Sequence, residues 1–329
     1  MPRLYGCGCD NHPTALSHVP ATPAWREWCV KGHRSRWAFH RLGRGSAALG
    51  NWFDSPETRW ASGFVVACTV ALVAYRLRAL TRSGAIAATI VGAVIVATGG
   101  WWPGLILVVF FVTSSALSMY SSSRSASSEQ VRGKRRDAVQ VMANGGVPAM
   151  CAVTSVLVDD RGPWLIAMIS AVAGAAADTW ATEIGRFSGA RPRLITSLRV
   201  APPGTSGAIS AIGTAGSLAG ALLIALATAS GTVFGWVVPG TSVWVLVGVV
   251  TAAGFACSII DSVLGATVQA VYRCPACDET SERHRHHCGN RTGLIRGRPW
   301  MSNDTVNLVA ILGSAGIGLI VRRIWSWPG

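Results

Sequence analysis

Residues 134–146 read KRRDAVQVMANGG, and they open an apolar segment that extends over 138–158. A helix of that length spans about 30 Å, the thickness of the hydrocarbon core of a bilayer. The stretch therefore predicts a transmembrane helix that has cations at its entrance and two amides, Gln140 and Asn144, within it. Burying polar groups at such depth in lipid costs free energy, so we expect these amides to have a functional role.

Seven further segments resemble this one in length and apolarity. With the first they lie near 62–80, 84–100, 102–120, 138–158, 163–185, 208–229, 243–270 and 305–321. Hydrophobic residues make up 50% of the chain and charged residues only 13%, which is half the share usual in soluble domains. We predict an all-α, polytopic transmembrane helical bundle of eight spans. Seven spans is the alternative, because Arg76 and Arg78 fall in the first segment and the second is short and rich in glycine.

Loop charges predict the orientation of the bundle. The connections at 76–82, 121–137, 186–199 and 273–300 are all basic, whereas the alternating connections GGWWPG, DDRGP and GTVFGWVVPGTSV contain one arginine among them. Basic loops remain on the cytoplasmic side of a membrane, so we expect the four basic connections on one face. The net charge of +14 then reflects orientation, and no nucleic-acid partner is expected.

Residues 1–60 contain no apolar span and form a tail outside the membrane domain at 61–329. They are rich in Arg, Pro, Trp and His and poor in acids, a composition typical of a disordered or targeting segment. An organelle transit peptide and a start codon predicted too far upstream would give similar sequences here. The expected location is a multi-pass position in a bacterial plasma membrane, or in a plastid membrane if the tail is a transit peptide.

Acids and amides recur in four of the predicted spans. Asp137, Gln140 and Asn144 are spaced i, i+3, i+7, so a helix places them on one face. The fifth, seventh and eighth segments carry the others: Asp178 and Glu183; Asp261, Gly265 and Gln269 at i, i+4, i+8; and Asn303, Asp304 and Asn307. All lie toward the basic loops. Helix capping and interfacial charge are the alternative for those nearest the ends, Glu183 and Asn303 above all.

Cations and a glycine-rich loop are expected at the same membrane face. The cations precede the fourth segment and the loop begins the sixth: Lys134, Arg135 and Arg136, then Gly204, Thr205, Ser206 and Gly207. Helix N-termini favour phosphate, although turns need glycine for other reasons too. Carboxylates that suit Mg²⁺, together with these groups, predict a metal–polyphosphate site.

The stretch CPACDETSERHRHHC at 274–288 predicts a structural zinc site. Cys274, Cys277 and Cys288 supply three ligands, and one of three nearby histidines, taken here as His287, supplies the fourth. His284 and His286 are the other two candidates. A loop without metal is the alternative, because the second half of the spacing is not a standard one.

Five stretches, in order, carry a resemblance to a known family. They are KRRDAVQVMANGG, ADTWATEIG, PPGTSGAISAIGTAGSLAG, DSVLGATVQ and MSNDTVN, and they spread over roughly 65–320. The sequence resembles the integral membrane proteins of domain-of-unknown-function family ninety-two, which include the phytyl-phosphate kinases of the vitamin E pathway. Ser206 stands where asparagine is more usual in that family.

The resemblance implies a prenyl-phosphate kinase. Such an enzyme transfers a phosphoryl group from a nucleoside triphosphate, CTP or ATP, to an isoprenoid monophosphate and gives the diphosphate. It also implies roles for individual residues. Asp178, Asp261 and Asp304, with Glu183, would bind Mg²⁺, and Lys134, Arg135 and Arg136 would contact phosphates. Gln140, Asn144 and Asn307 would orient the substrates, residues 204–207 would bind the nucleotide phosphates, and Asp137 is counted among the catalytic residues. The prenyl chain would lie between helices in lipid.

Two other classes of function fit part of the pattern. A cation-coupled transporter or lipid flippase would also hold carboxylates inside a bundle, but it would line a path to both membrane faces. The far ends of the predicted spans are nearly bare of polar side chains. A scaffold protein would need no convergence of polar residues at all.

Overall fold

A computed structural model describes residues 56–124, 135–187, 189, 191–238, 241–286 and 288–325. Most of the predicted tail, 1–55, lies outside this range. Eight long helices are described: α1 Pro56–Arg76, α2 Arg82–Gly99, α3 Trp101–Arg124, α4 Ala138–Leu157, α5 Gly162–Phe187, α6 Ala211–Ser230, α7 Val243–Thr267 and α8 Asn303–Trp325. All eight are long and apolar enough to cross a membrane, which confirms the all-α bundle and eight spans rather than seven.

The ends of α1 differ from the expected 62–80. The helix begins at Pro56 and ends at Arg76. Arg78 has a φ of 61°, in the left-handed region, and the Ala79 amide donates to the Ala74 carbonyl. This turn terminates the helix, so only one of the two arginines lies within it, in the last turn, where its side chain can reach the interface.

Helix α5 is the centre of the bundle. It packs against α3, α4, α6, α7 and α8, and its alanines Ala171, Ala173 and Ala176 are completely buried. Small residues allow the neighbouring helices to approach closely. A Cβ added to Gly220 of α6 would lie 2.9 Å from the Ala176 carbonyl oxygen of α5, so no larger residue fits there without a shift.

A buried hydroxyl joins three of these helices. Ser314 of α8 donates toward the carbonyl of Ser170 in α5, at 2.7 Å, and that of Ala253 in α7, at 2.9 Å. Ser314 is fully buried. Hydrogen bonds between helices stabilise a bundle in lipid because no water is present to compete for them.

The four basic connections meet at one end of the bundle. The Thr81 amide, after α1, donates to the Arg136 carbonyl, before α4, at 3.0 Å. Ser206, between α5 and α6, donates to Glu282, between α7 and α8, at 2.7 Å. We call this end, formed by the described residues of 77–81, 135–137, 189–210 and 268–302, the basic end.

The other three connections meet at the opposite end. The Arg161 guanidinium, between α4 and α5, donates to the Thr98 carbonyl of α2 at 3.0 Å. The Trp102 indole donates to the Ala227 carbonyl at 3.0 Å and stacks on Phe234, beyond α6. The helices therefore run up and down, as the alternation of loop charges predicts.

Two small antiparallel sheets lie at the basic end, and the sequence did not predict them. Strands β1 (Arg193–Leu194) and β2 (Ala208–Ile209) pair between α5 and α6. Strands β3 (Val271–Arg273), β4 (Thr280–Ser281) and β5 (Gly293–Arg296) form a sheet between α7 and α8 in the order β4-β3-β5. We call residues 271–296 the knuckle.

Candidate functional site

Two carboxyl groups come together between α5 and α7. The side chains of Asp178 and Asp261 are within hydrogen-bonding distance of each other, and both remain partly exposed. The Asn307 amide of α8, with its oxygen and nitrogen assigned so that both are satisfied, donates to Asp261 Oδ1 at 2.9 Å. Carboxyl groups this close share a proton or bind a common cation. Carboxylate and amide oxygens are ligands that Mg²⁺ accepts, so the donor set fits that ion.

The segment before α4 is fixed against the start of α2. The Arg136 amide donates to the Ala79 carbonyl at 3.0 Å, and its own carbonyl accepts from Thr81. A Cβ on Gly84 would lie 2.1 Å from the Arg136 carbonyl oxygen, so this approach requires glycine at the first turn of α2. These contacts hold Arg136 in one place.

The Arg136 side chain points into the bundle. Its guanidinium carbon lies 5.8 Å and 5.6 Å from the ring centroids of Phe110 and Phe111 on α3. Burial lowers the pKa of this guanidinium, and the negative charge of Glu183 acts in the opposite direction. An arginine keeps its charge at neutral pH in either case, so the group is a cation held over apolar rings.

A cavity of about 240 Å³ opens beside this cation, between α1, α2, α3 and α4. Apart from the Trp101 indole at the far end, its polar lining residues are Arg136, Gln140 and Asn144, at the basic end. Val66 and Leu105 line it and are also exposed on the surface of the bundle, so the cavity opens toward lipid. Its shape suits an apolar chain with an anionic head.

The polar residues predicted to share one face of α4, Asp137, Gln140 and Asn144, have different structural roles. Asp137 is the N-cap of the helix, and its Oδ1 accepts from the Gln140 amide at 3.0 Å. The Asn144 side chain donates to the Gln140 carbonyl at 2.9 Å, which leaves its oxygen available to the cavity. The capping bond gives Asp137 a structural role independent of any chemistry.

Glu183 is buried and surrounded by donors. Ser118 of α3 donates to its Oε1 at 2.9 Å, and Arg186 lies 3.2 Å from its Oε2. Together with the attraction to Arg136, these contacts make Glu183 a counter-ion for two arginines. Asp304 is half-buried and lies within the electrostatic reach of Asp137 and Glu282, which brings three acids to the basic end.

The glycine-rich loop differs from its expected position at a helix N-terminus. Strand β2 separates it from α6, whose N-cap is Ser210. The Thr205 amide is already bonded to the Pro202 carbonyl. Gly207 has a φ of 80°, and a Cβ there would lie 2.2 Å from the Ala266 amide nitrogen, so the loop packs directly on the end of α7.

Glu282 and Arg296 of the knuckle hold this loop, and sequence reasoning missed both. Glu282 Oε1 accepts from Ser206 Oγ at 2.7 Å and from the side-chain Nε2 of Gln269 at 2.8 Å. Arg296 donates to the Gly265 carbonyl at 2.9 Å and reaches the Ser206 carbonyl at 3.4 Å. These partners are distant in sequence, and no local motif marks them.

The expected helical register of Gln269 with Asp261 was wrong. Helix α7 ends at Thr267, and the amides of Val268 and Gln269 both turn back to the Leu264 carbonyl. The Gln269 side chain is buried and faces Glu282, so it does not share a helix face with Asp261 and Gly265. Its role is to join α7 to the knuckle.

Four metal-ligating side chains converge within the knuckle. They are Cys274, Cys277, His286 and Cys288, and their ligand atoms all lie within 4.8 Å of one another. His286 thus takes the place given to His287, which lies outside the described residues, because the His286 ring is turned inward and is buried. Hydrogen bonds from the Asn290 backbone and from His286 lower the pKa of the Cys288 thiol to about 6, whereas the hydrogen bond with Cys288 raises the pKa of the Cys277 thiol to about 12.

Not every predicted residue can be placed. Lys134 lies outside the described residues. Arg135 and Asn303 are exposed at the basic end. The structure brings together Asp178, Asp261 and Asn307 as one group, and Arg136, Gln140 and Asn144 as another, with Glu183 linked to the second by its attraction to Arg136.

Several known proteins resemble this chain over part or most of its length. It is 29% identical over 270 residues to an uncharacterized membrane protein of Methanocaldococcus jannaschii, which covers 82% of this chain and 97% of that protein. It is 29% identical over 278 residues to Protein PGR of Arabidopsis thaliana, covering 78% and 94%. An uncharacterized membrane protein of Synechocystis sp. is 27% identical over 198 residues, covering 58% and 62%. No solved structure matches the chain.

A family assignment follows from the sequence profile that matches most of the membrane domain. That profile, described as integral membrane protein DUF92, matches residues 65–315, which include all the stretches that carried the resemblance. This description and the names of two relatives identify membrane proteins, and the eight spans agree with that location. The chain therefore belongs to the DUF92 family of integral membrane proteins.

Proposed function

We propose that this protein is a prenyl-phosphate kinase, which transfers a phosphoryl group from CTP or ATP to an isoprenoid monophosphate and gives the diphosphate. The observation that carries the proposal is the Asp178–Asp261 pair with Asn307, at the junction of three packed spans. A carboxylate pair in a membrane helix bundle costs free energy unless a ligand compensates for it. A divalent cation bound with polyphosphate is such a ligand.

The cavity supports an amphipathic acceptor. Its walls are apolar, and its cation and two amides stand at one end, so a prenyl chain would enter from lipid and its phosphate would meet Arg136. An arginine presents several donors to a phosphate in a fixed geometry. Gln140 and Asn144 would then orient the phosphate by hydrogen bonds.

The glycine-rich loop supports a phosphate-bearing donor at the basic end. Residues 204–207 lie between the end of α7 and the knuckle, on the same side of the bundle as the carboxylate pair and Arg136. Glycines allow the backbone to approach a bound phosphate chain closely. Arg135, which is exposed there, would add positive charge at the same end.

The proposed reaction needs no strong base. An oxygen of the acceptor monophosphate, ionised near neutral pH, attacks the terminal phosphorus of the triphosphate, and the bond from that phosphorus to its bridging oxygen breaks. The products are the prenyl diphosphate and the nucleoside diphosphate. Asp178, Asp261 and Asn307 would hold Mg²⁺, which supplies charge neutralisation on the transferring group. Arg136 aligns the acceptor, and alignment is the other main source of rate.

The direct test uses the purified full-length chain in detergent. It is incubated with Mg²⁺, labelled CTP or ATP, and phytyl, farnesyl or geranylgeranyl monophosphate. We expect label in a prenyl diphosphate with at least one pair of substrates. If no pair gives product and ion-driven lipid or cation flux appears in proteoliposomes, the transporter or flippase class replaces the kinase.

A further inference from the structure

The knuckle contains a complete set of four metal ligands in a compact arrangement. Sγ of Cys274 lies 3.5 Å from Sγ of Cys288, and Nδ1 of His286 lies 3.3 Å from the same Cys288 sulfur. Ligands on one tetrahedral zinc ion lie about 3.8 Å apart, given the usual zinc–sulfur bond length. The observed spacing fits a single ion without rearrangement of the backbone.

The other nitrogen of His286 provides a second, independent observation. Nε2 lies 3.2 Å from Oε2 of Glu279, and the His286 side chain is fully buried. Histidines that bind zinc commonly donate their free N–H to a carboxylate, which fixes the tautomer and the ring orientation. With Nδ1 toward the sulfurs and Nε2 toward Glu279, His286 is already oriented as a ligand.

The segment between the ligands Cys277 and His286 also contacts the glycine-rich loop. Glu282 lies between Cys277 and His286 in sequence, and it accepts from both Ser206 and Gln269. Glu282 is exposed, so no burial fixes its position. Its place depends on the short strand β4 and on the ligands that flank it.

We propose that the knuckle binds one structural Zn²⁺ through Cys274, Cys277, His286 and Cys288, and that the bound knuckle positions loop 204–207 through Glu282. The zinc site and the positioning stand on the contacts above, whereas the consequence for nucleotide binding rests on the proposed function. The site has four protein ligands and no open position, which is the arrangement of a structural rather than a catalytic zinc.

Zinc content is the first measurement. The full-length protein, purified in detergent and washed with a mild chelator, should retain about one zinc per chain by elemental analysis, as a closed Cys₃His site predicts. Cys277→Ser should lose it. Cys68→Ser, which changes an exposed cysteine of α1, should retain it. Wild-type protein without zinc, or with a Cys274–Cys288 disulfide by mass spectrometry, would overturn the site.

Hydrogen exchange measures the positioning without using activity. Amides in a peptide covering 200–210 should exchange about tenfold faster in Cys277→Ser and in Glu282→Ala than in wild type, because Glu282→Ala removes the oxygen that accepts from Ser206 and Gln269. A peptide from the buried part of α6 is the internal reference. Glu282→Ala should still retain zinc, because Glu282 is not one of the four ligands. Unchanged exchange at 200–210 in both variants would overturn the positioning.

Kinetics connect the knuckle to the proposed reaction. Glu282→Ala should raise the KM for the triphosphate about tenfold, through lost loop order, and leave the KM for the prenyl phosphate near wild type. Equal effects on both substrates would overturn a role specific to the nucleotide. No phosphoryl transfer in the wild type would overturn the proposed function alone, since zinc content and exchange decide the knuckle separately.

Discussion

Asp178 and Asp261 lie in spans whose apolar environment disfavours the negative charge that the proposed chemistry requires. Each lies in a mostly apolar span, where an unliganded ion is unfavourable. Replacing such an ion by an amide of the same size should be neutral or stabilising if the carboxylate has no ligand. A loss of activity with retained stability would therefore point to a ligand rather than to a structural role.

The first prediction concerns Asp178→Asn and Asp261→Asn. Each variant should unfold at or above the wild-type temperature in detergent, yet lose prenyl-phosphate phosphorylation by about 100-fold, as expected when charge stabilisation of the transferring group is lost. Asp159→Asn, an exposed acid at the opposite end of the bundle, is the matched control and should keep full activity. Near-wild-type turnover by both variants would rule out this pair as the metal site.

Arg136 gives a second prediction at the residue scale. Arg136→Gln removes the cation at the polar end of the cavity, so the KM for the prenyl phosphate should rise by about tenfold to 100-fold, the range for a lost charge-assisted hydrogen bond. Arg191→Gln removes an exposed arginine from the same end and should change neither KM. Equal kinetic effects of the two substitutions would show only a general loss of positive charge.

At the scale of elements, the spans could be predicted and the contacts between their ends could not. Apolar length alone located eight helices, because lipid imposes one length and one polarity on every span. The strands β1 to β5 are too short to leave a periodic pattern in the sequence. Glu282 and Arg296 act on residues distant in the chain, so only the fold reveals them, and the end of α7 depends on a turn that placed Gln269 outside the helix.

The start of α2 provides a prediction about an element. Gly84→Ala places a methyl group against the Arg136 carbonyl, and the backbone must shift to admit it, which we expect to lower the free energy of unfolding by about 2 kcal/mol. Gly248→Ala, in α7, meets no neighbour within 4 Å and should not destabilise the protein. Thermal unfolding in detergent compares the two. A Gly84→Ala protein as stable as Gly248→Ala would contradict the close packing of α2 on the 135–137 segment.

At the scale of the whole molecule, the two ends of the bundle differ in chemistry. The basic end collects the glycine-rich loop, the knuckle and Arg136, whereas the three connections at the opposite end contain three charged residues, Asp159, Asp160 and Arg161. This asymmetry suits an enzyme that takes its lipid substrate from the bilayer and its nucleotide from one aqueous side. A transporter would require polar groups along a path to both sides.

The last prediction follows from this asymmetry: every connection of the basic end should lie on one side of the membrane. The chain contains two lysines, Lys31 and Lys134, so both can be changed to arginine and a single lysine introduced without altering the charge. Arg191→Lys and Arg283→Lys probe two connections of the basic end, and Arg161→Lys probes the opposite end.

Each single-lysine variant is placed in sealed vesicles of one orientation and treated with a membrane-impermeant amine reagent. The reagent should modify the Arg191→Lys and Arg283→Lys variants from the same side of the membrane, and the Arg161→Lys variant only from the other side. Permeabilised vesicles control for reactivity, and peptide mass spectrometry reads each position separately from the N-terminal amine. Because α5 and α6 join 191 to the same bundle that carries 283, modification of these two positions from opposite sides would contradict a common chamber. It would also separate loop 204–207 from the knuckle that contacts it.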